Sequence, residues 1–226
     1  MRYSTLLWDL DGTLYDFEKN EDRSLRRILD DFGVGATAEH LACYRRINHQ
    51  LWSDYEQGLI GKQVIEDTRF QRTFDELCVD ADGLAASQAY RKLLMQGYDL
   101  IEGACEIMTA LQGKVEMDVI TNGDGPTQRQ RLAGADMAKY FKHLFISDEL
   151  GVQKPQAEFF EPVLRTIAEK DPRRILVIGD SLSSDIAGGQ AAGLDTCWVN
   201  RKHQSMTLKE KPTWQIDDLW QLLEIL

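Results

Sequence analysis

A chain of 226 residues, 43% hydrophobic and 28% charged, has the make-up of an ordinary soluble globular protein and is long enough for a core domain plus a smaller lobe. Its formal net charge of −11 argues against a nucleic-acid polymer as partner, because phosphate-backbone contacts need clustered Lys and Arg. No apolar run approaches the roughly 20 residues that span a bilayer, and a first strand starting by about Tyr3 leaves no room for a signal peptide. A cytoplasmic protein without a membrane partner is therefore expected.

Tyr3, Leu6, Leu7 and Trp8 form an apolar run that stops abruptly at Asp9, followed by Asp11, Gly12 and Thr13. Such a run reads as a strand buried on both faces and ending in a turn. From about Phe17 to Leu100 strand signals give way to amphipathic helical patterns. Leu25, Ile28, Leu29 and Phe32 recur at helical spacing up to Gly33. Thr37 can cap a second helix, with Leu41, Tyr44, Ile47, Leu51, Trp52 and Tyr55 along it and an end near Gly58. A third helix is expected over Lys62–Cys78 and a fourth over Leu84–Gly97.

Strand patterns then resume at Met117–Ile120, Leu144–Ile146, Ile175–Ile178 and Thr196–Val199. Helical patterns separate them at Ala104–Leu111, Thr127–Leu132, Ala157–Lys170 and Asp185–Ala192, and Leu219, Leu222, Leu223 and Leu226 mark a final helix. Alternating strands and helices predict an α/β fold, a Rossmann-like parallel sheet core with right-handed crossovers. The helical stretch is then an inserted α-helical cap over residues 17–99, with residues 1–16 and 100–226 as the core. Cys43, Cys78, Cys105 and Cys197 are scattered without metal-type spacing and read as reduced core thiols. The dispersed His40, His49, His143 and His203 give no structural zinc site.

In an open α/β sheet, ligands bind beyond the carboxyl ends of the strands. That rim collects Asp9 and Asp11 from the first strand, Thr121 and Asn122 from the second, and Asp180 and Asp185 from the fourth. Lys154, before Pro155, enters after the third. Converging carboxylates point to a hard divalent cation such as Mg²⁺. A threonine hydroxyl, backbone N–H groups and a lysine beside it form a receptor for a phosphoryl group. Taken singly, Lys154 reads as a solvated helix start, Asp185 as a first-turn acid and Thr121 as a turn former.

Four motifs, DLDGT at Asp9–Thr13, ITN at Ile120–Asn122, KP at Lys154–Pro155 and GDSLSSD at Gly179–Asp185, occur in order along the chain. Together they resemble the signature of the haloacid dehalogenase superfamily, in particular its phosphatases with an α-helical cap inserted after the first strand. The resemblance implies Mg²⁺-dependent hydrolysis of phosphomonoesters through an aspartyl-phosphate. It makes Asp9 the nucleophile and a metal ligand, and Asp11 the general acid and then base, with its backbone carbonyl on the metal. Asp180 becomes a direct metal ligand, and Asp185 a supporting carboxylate that positions metal water or Lys154. Thr121, Asn122 and Lys154 become the phosphate-binding set. An acid at Asp11 together with Asp180 separates this chain from the metal-free dehalogenases of the same superfamily. A phosphonatase would want a Schiff-base lysine in the cap, and neither Lys19 nor Lys62 is singled out there.

Closure of a cap over the rim would set the choice of leaving group. Phe17, Trp52 and Tyr55 are the candidate contacts, although Trp52 and Tyr55 also read as part of a helical stripe in the cap core. The segments Asn48–Ile60 and Thr68–Phe70 resemble cap segments of bacterial pyrimidine-type 5′-nucleotidases, which implies a nucleoside monophosphate as the small phosphorylated partner. A phosphosugar phosphatase, a phosphomutase and a non-catalytic phosphate-binding scaffold of the same fold stay open.

Overall fold

The structure, a computed structural model, describes residues 1–205 and 211–226. It falls into two compact units, Met1–Phe17 with Tyr98–Leu226, and Glu18–Gly97.

The first unit is built on a six-stranded parallel sheet in the order β3-β2-β1-β4-β5-β6. Its strands are β1 (Thr5–Trp8), β2 (Glu116–Thr121), β3 (Leu144–Ile146), β4 (Ile175–Gly179), β5 (Asp195–Val199) and β6 (Trp214–Ile216). All of β1 and β4 is buried, as strands covered on both faces must be. Side chains alternate across the pleat. Leu6 and Trp8 of β1, with Met117 and Val119 of β2 and Leu176 and Ile178 of β4, enter one core together with Ile107, Met108 and Leu111. Leu7, Ile120, Ile175 and Val177 enter the opposite core with Phe159, Phe160 and Val163. Each such side chain contributes about 1.5–3 kcal/mol on burial, so the central strands are held from above and below.

The second unit is helical. It comprises nearly all of α1 (Phe17–Asp31), with α2 (Ala38–Glu56), α3 (Lys62–Glu76) and α4 (Gly83–Leu94). Thr37 caps α2, its hydroxyl accepting from the His40 N–H at 3.2 Å. Leu25, Leu29, Tyr44, Phe70, Phe74 and Tyr90 interlock as its core. The Asn20 amide donates to the carbonyls of Leu94 and Gly97 at 3.1 and 3.2 Å, which joins the start of α1 to the end of α4.

The remaining helices are α5 (Ala104–Leu111), α6 (Gly125–Gly134), α7 (Ser147–Leu150), α8 (Ala157–Thr166), α9 (Ala187–Ala191) and α10 (Leu222–Ile225). Several differ from expectation. The helix expected to reach Lys170 stops at Thr166, because Ile167 turns to an extended conformation. Asp185 lies in a π-helical turn, Leu182–Ile186, that precedes α9. The C-terminal leucines divide between a 3₁₀ turn at Leu219–Gln221 and α10, with Leu219 and Leu222 buried and Leu223 exposed. β6 was not anticipated at all. All four cysteines are free, but only Cys43 and Cys197 are core thiols, while Cys78 and Cys105 are exposed. No helix among the described residues is long and apolar enough to cross a membrane.

Candidate active site

Because every strand pairs in parallel, all carboxyl ends meet one rim, and the strand order reverses beside β1. Asp9 follows β1 directly, and its N–H donates to the Ile178 carbonyl of β4 at 2.9 Å. Thr121 ends β2, and Asp180 follows β4. One carboxylate oxygen from each of Asp9, Asp180 and Asp185 lies within 4.8 Å of the others.

Lys154 is the cation inserted among them, and it is only 1% exposed. Its Nζ donates to Asp185 Oδ1 at 2.6 Å, Asp9 Oδ1 at 2.8 Å and the Ile120 carbonyl at 2.9 Å. The three donor positions of the ammonium are thereby used, and its charge is held in place. The pKa of Lys154 is pushed up: burial acts to lower it, but the Asp185 and Asp9 carboxylates beside it outweigh burial.

The acids remain frustrated nonetheless. Burial drives the Asp9 carboxyl well above the ordinary carboxylate range, Lys154 opposes, and Asp185 and Asp180 add like-charge repulsion. Asp180 is pushed up to about 7, first by burial and then by Asp185, with Lys202 and Lys154 pulling the other way. Asp9 Oδ2 accepts from the Thr13 hydroxyl at 3.3 Å, and Asp185 likewise has both oxygens bonded. Its Oδ1 accepts from Lys154 and its Oδ2 from the Ser181 N–H at 3.1 Å.

Two glycines make room for this crowding. A Cβ on Gly12, which lies at φ +89°, would stand 2.2 Å from Asp180 Oδ2, and one on Gly179 would stand 2.2 Å from Asp185 Cγ. The chain thus gives up side chains to bring carboxylates together, an arrangement that costs stability unless a cation compensates. An all-oxygen donor set of this kind fits a hard cation such as Mg²⁺. Asp9, Asp180 and Asp185 could hold one, although Asp185 Oδ1 already accepts from Lys154 and its Oδ2 from the Ser181 N–H.

The other expected residues take definite places. Thr121 is buried, and its hydroxyl accepts from the Gly123 N–H at 2.9 Å and from Gln128 Nε2 at 3.3 Å, which leaves its own proton to donate. Asn122 clasps the backbone of Lys154: its Oδ1 accepts from the Lys154 N–H and its Nδ2 donates to the Lys154 carbonyl, both at 2.9 Å. Its amide therefore fastens the lysine loop to β2. Phe17 is half-buried, with the Arg131 guanidinium 6.0 Å from its ring centre. In the helical unit, Trp52 meets Tyr55 edge-on at 5.8 Å, and Tyr55 is buried with Ile47, Leu51 and Ile65. That packing gives Tyr55 a structural task within its own unit.

Two residues around Asp11 were not singled out from the sequence. Gln128 Nε2 donates to Asp11 Oδ2 at 2.6 Å, and Arg131 Nη1 donates to Asp11 Oδ1 at 2.5 Å. Both come from α6, whose N-terminus Asp124 caps by accepting from the Thr127 N–H at 2.9 Å. The legible signal was two long polar residues three apart on a helix that leaves a rim strand.

Comparison with known proteins agrees with this architecture. The family model for haloacid dehalogenase-like hydrolases matches residues 3–193. The pyrimidine 5′-nucleotidase PynA of Streptococcus pneumoniae is 37% identical over 100% of this chain and 96% of its own. The pyrimidine 5′-nucleotidase YjjG of Escherichia coli is 33% identical over 100% of this chain and 99% of its own. The magnesium-bound crystal structure of the HAD-hydrolase YfnB from Bacillus subtilis superposes with a TM-score of 0.94 at 38% identity, covering 100% of this chain and 99% of that one. With its parallel sheet, rim carboxylates and full-length relatives, the chain belongs to the haloacid dehalogenase-like hydrolases.

Proposed function

We propose that this enzyme is a Mg²⁺-dependent phosphomonoesterase that acts on nucleoside 5′-monophosphates through a phosphorylated Asp9. The observation that carries the reading is the buried Asp9–Lys154–Asp185 chain at the carboxyl end of β1, with Asp180 against it. The full-length similarity to PynA and YjjG supports a pyrimidine nucleotide as substrate. The similarity to magnesium-bound YfnB supports the choice of metal.

In this reading an Asp9 carboxylate oxygen attacks phosphorus. The ester P–O bond breaks, and Asp11 gives a proton to the departing alkoxide. Asp11 then takes a proton from water as that water attacks the same phosphorus, and the bond to Asp9 breaks to release inorganic phosphate. The Thr121 hydroxyl donates to a phosphoryl oxygen, and Lys154, its ammonium held by Asp185, Asp9 and the Ile120 carbonyl, contributes a fixed positive charge beside the phosphoryl group where negative charge builds. Asp9, the Asp11 backbone carbonyl and Asp180 would hold Mg²⁺, which would neutralise charge between the anionic nucleophile and the anionic substrate. Small phosphorylated metabolites of the cytoplasm are the expected substrates, in keeping with four free thiols.

The test is phosphate release with Mg²⁺ from dUMP, dTMP and UMP alongside a set of sugar phosphates. Preferential turnover of the pyrimidine nucleotides is expected. Turnover confined to sugar phosphates would transfer the assignment to a phosphosugar phosphatase, and no turnover on any ester would leave a binding protein.

A further inference from the structure

Asp11 lies at the edge of the rim, and its side chain is 27% exposed while the Arg131 side chain that grips it is only 2% exposed. A carboxylate on a two-residue excursion from a strand has free χ angles, and rotamer freedom at a proton-transfer group costs rate. Here both oxygens are taken, one by Arg131 and one by Gln128. The two donors are themselves locked together. Arg131 Nη1 also donates to Gln128 Oε1 at 3.1 Å, and the guanidinium stacks 4.4 Å from the Tyr15 ring centre. Gln128 Nε2 reaches a second acceptor, Thr121 Oγ1, at 3.3 Å. One amide nitrogen therefore spans the proton-transfer carboxylate and the hydroxyl assigned to the phosphoryl group.

Gly123 explains how that amide gets there. A Cβ built on Gly123 would stand 2.1 Å from Gln128 Nε2 and 2.8 Å from its Cδ. Gly123 does not adopt a left-handed φ, so its missing side chain matters for space and not for backbone freedom.

We infer that Gln128 and Arg131 are positioning residues for Asp11, with Gly123 as the clearance that admits the Gln128 amide. They form a clamp that sets the direction of the proton-transfer carboxylate and ties it to Thr121. This rests on the phosphomonoesterase reading for its kinetic consequence, but the clamp itself is a statement about geometry.

The experiment compares wild type with Gln128→Met, Arg131→Met, Arg131→Lys and Gly123→Ala, using p-nitrophenyl phosphate and a nucleoside monophosphate at saturating Mg²⁺. A good leaving group needs little protonation, so a misplaced acid shows chiefly on the alkyl ester. Gln128→Met and Gly123→Ala should each lower kcat on the nucleotide by roughly ten- to hundred-fold while KM and kcat on the aryl ester change little. Arg131→Lys should recover part of what Arg131→Met loses. Gly123→Ala leaves Gln128 itself intact, so a shared phenotype points to displacement of the amide. Equal losses on both esters, or losses confined to KM, would overturn the inference.

A readout without turnover keeps the two readings apart. Arg131 Nη protons held by Asp11 should give resolved side-chain NMR signals in the wild-type protein, and Asp11→Ala should collapse them. Unchanged Arg131 signals in Asp11→Ala would sink the clamp whether or not the enzyme hydrolyses phosphate esters. Conversely, collapsed signals in Asp11→Ala together with no turnover by the wild-type protein would sink the phosphatase reading alone.

Discussion

Asp9 combines two demands that oppose each other. A nucleophile must be ionised, yet burial and its acidic neighbours favour the protonated form. Lys154 supplies part of the compensation, and the proposed cation the remainder. Asp9→Asn should therefore abolish turnover while the fold survives, since it removes a buried charge and leaves Lys154 bonded to Asp185. Full nucleotide turnover by a correctly folded Asp9→Asn enzyme would falsify the covalent route. Asp118, buried in β2, offers a separate electrostatic test away from the rim. Its carboxyl is raised, chiefly by burial and against the pull of His143. The fold thus holds this proton more tightly than the unfolded chain, for which the ordinary value is 3.8. Stability from this group is greatest below that value and declines as pH rises through the folded one. Asp118→Asn retains an oxygen to accept from His143. Its stability relative to wild type should climb as pH rises above the ordinary value of 3.8 and then level off once the folded carboxyl has ionised. A difference that ignores pH would contradict the burial argument.

Secondary-structure elements were legible where their physics is local. The apolar runs Leu6–Trp8 of β1 and Ile175–Ile178 of β4 are buried on both faces, so nothing polar interrupts them before the rim, whereas β2 carries one buried acid, Asp118. Thr37 announced α2 because a cap is a bond between near neighbours. β6 escaped notice because it is three residues with an exposed Gln215 in the middle, an edge strand defined by pairing with β5 and not by its own pattern. The Gln128–Arg131 contacts with Asp11 join residues more than a hundred positions apart, which spacing along a helix cannot show. The glycines of the rim were visible as turn formers, while their steric purpose needed coordinates. Gly179→Ala tests that purpose: its Cβ would overlap Asp185. Displacing Asp185 from Lys154 should cost on the order of 1–3 kcal/mol and most of the activity. A Gly179→Ala enzyme with wild-type stability and rate would show that the close approach is dispensable.

Taken as one chain, the protein concentrates like charge at the carboxyl edge of its sheet and accepts the instability that follows. A ligand that relieves this strain stabilises the folded state by mass action, about 2.7 kcal/mol at a hundred times its Kd. For a chain of this size each kcal/mol moves Tm by about 2–4 °C. Mg²⁺ should raise the Tm of wild type, EDTA should reverse the shift, and Asp180→Asn should show little of it. An equal shift in Asp180→Asn would place the ion elsewhere. The covalent route requires that phosphorus become bonded to Asp9 in each turnover. Acid quench within the first turnover of a pyrimidine nucleotide with Mg²⁺, followed by mass mapping of the peptide containing Asp9, measures this directly. The expected result is one phosphoryl group on Asp9, absent when Mg²⁺ is omitted. Rapid turnover with Asp9 never modified, or the phosphoryl group found on another residue, would contradict it.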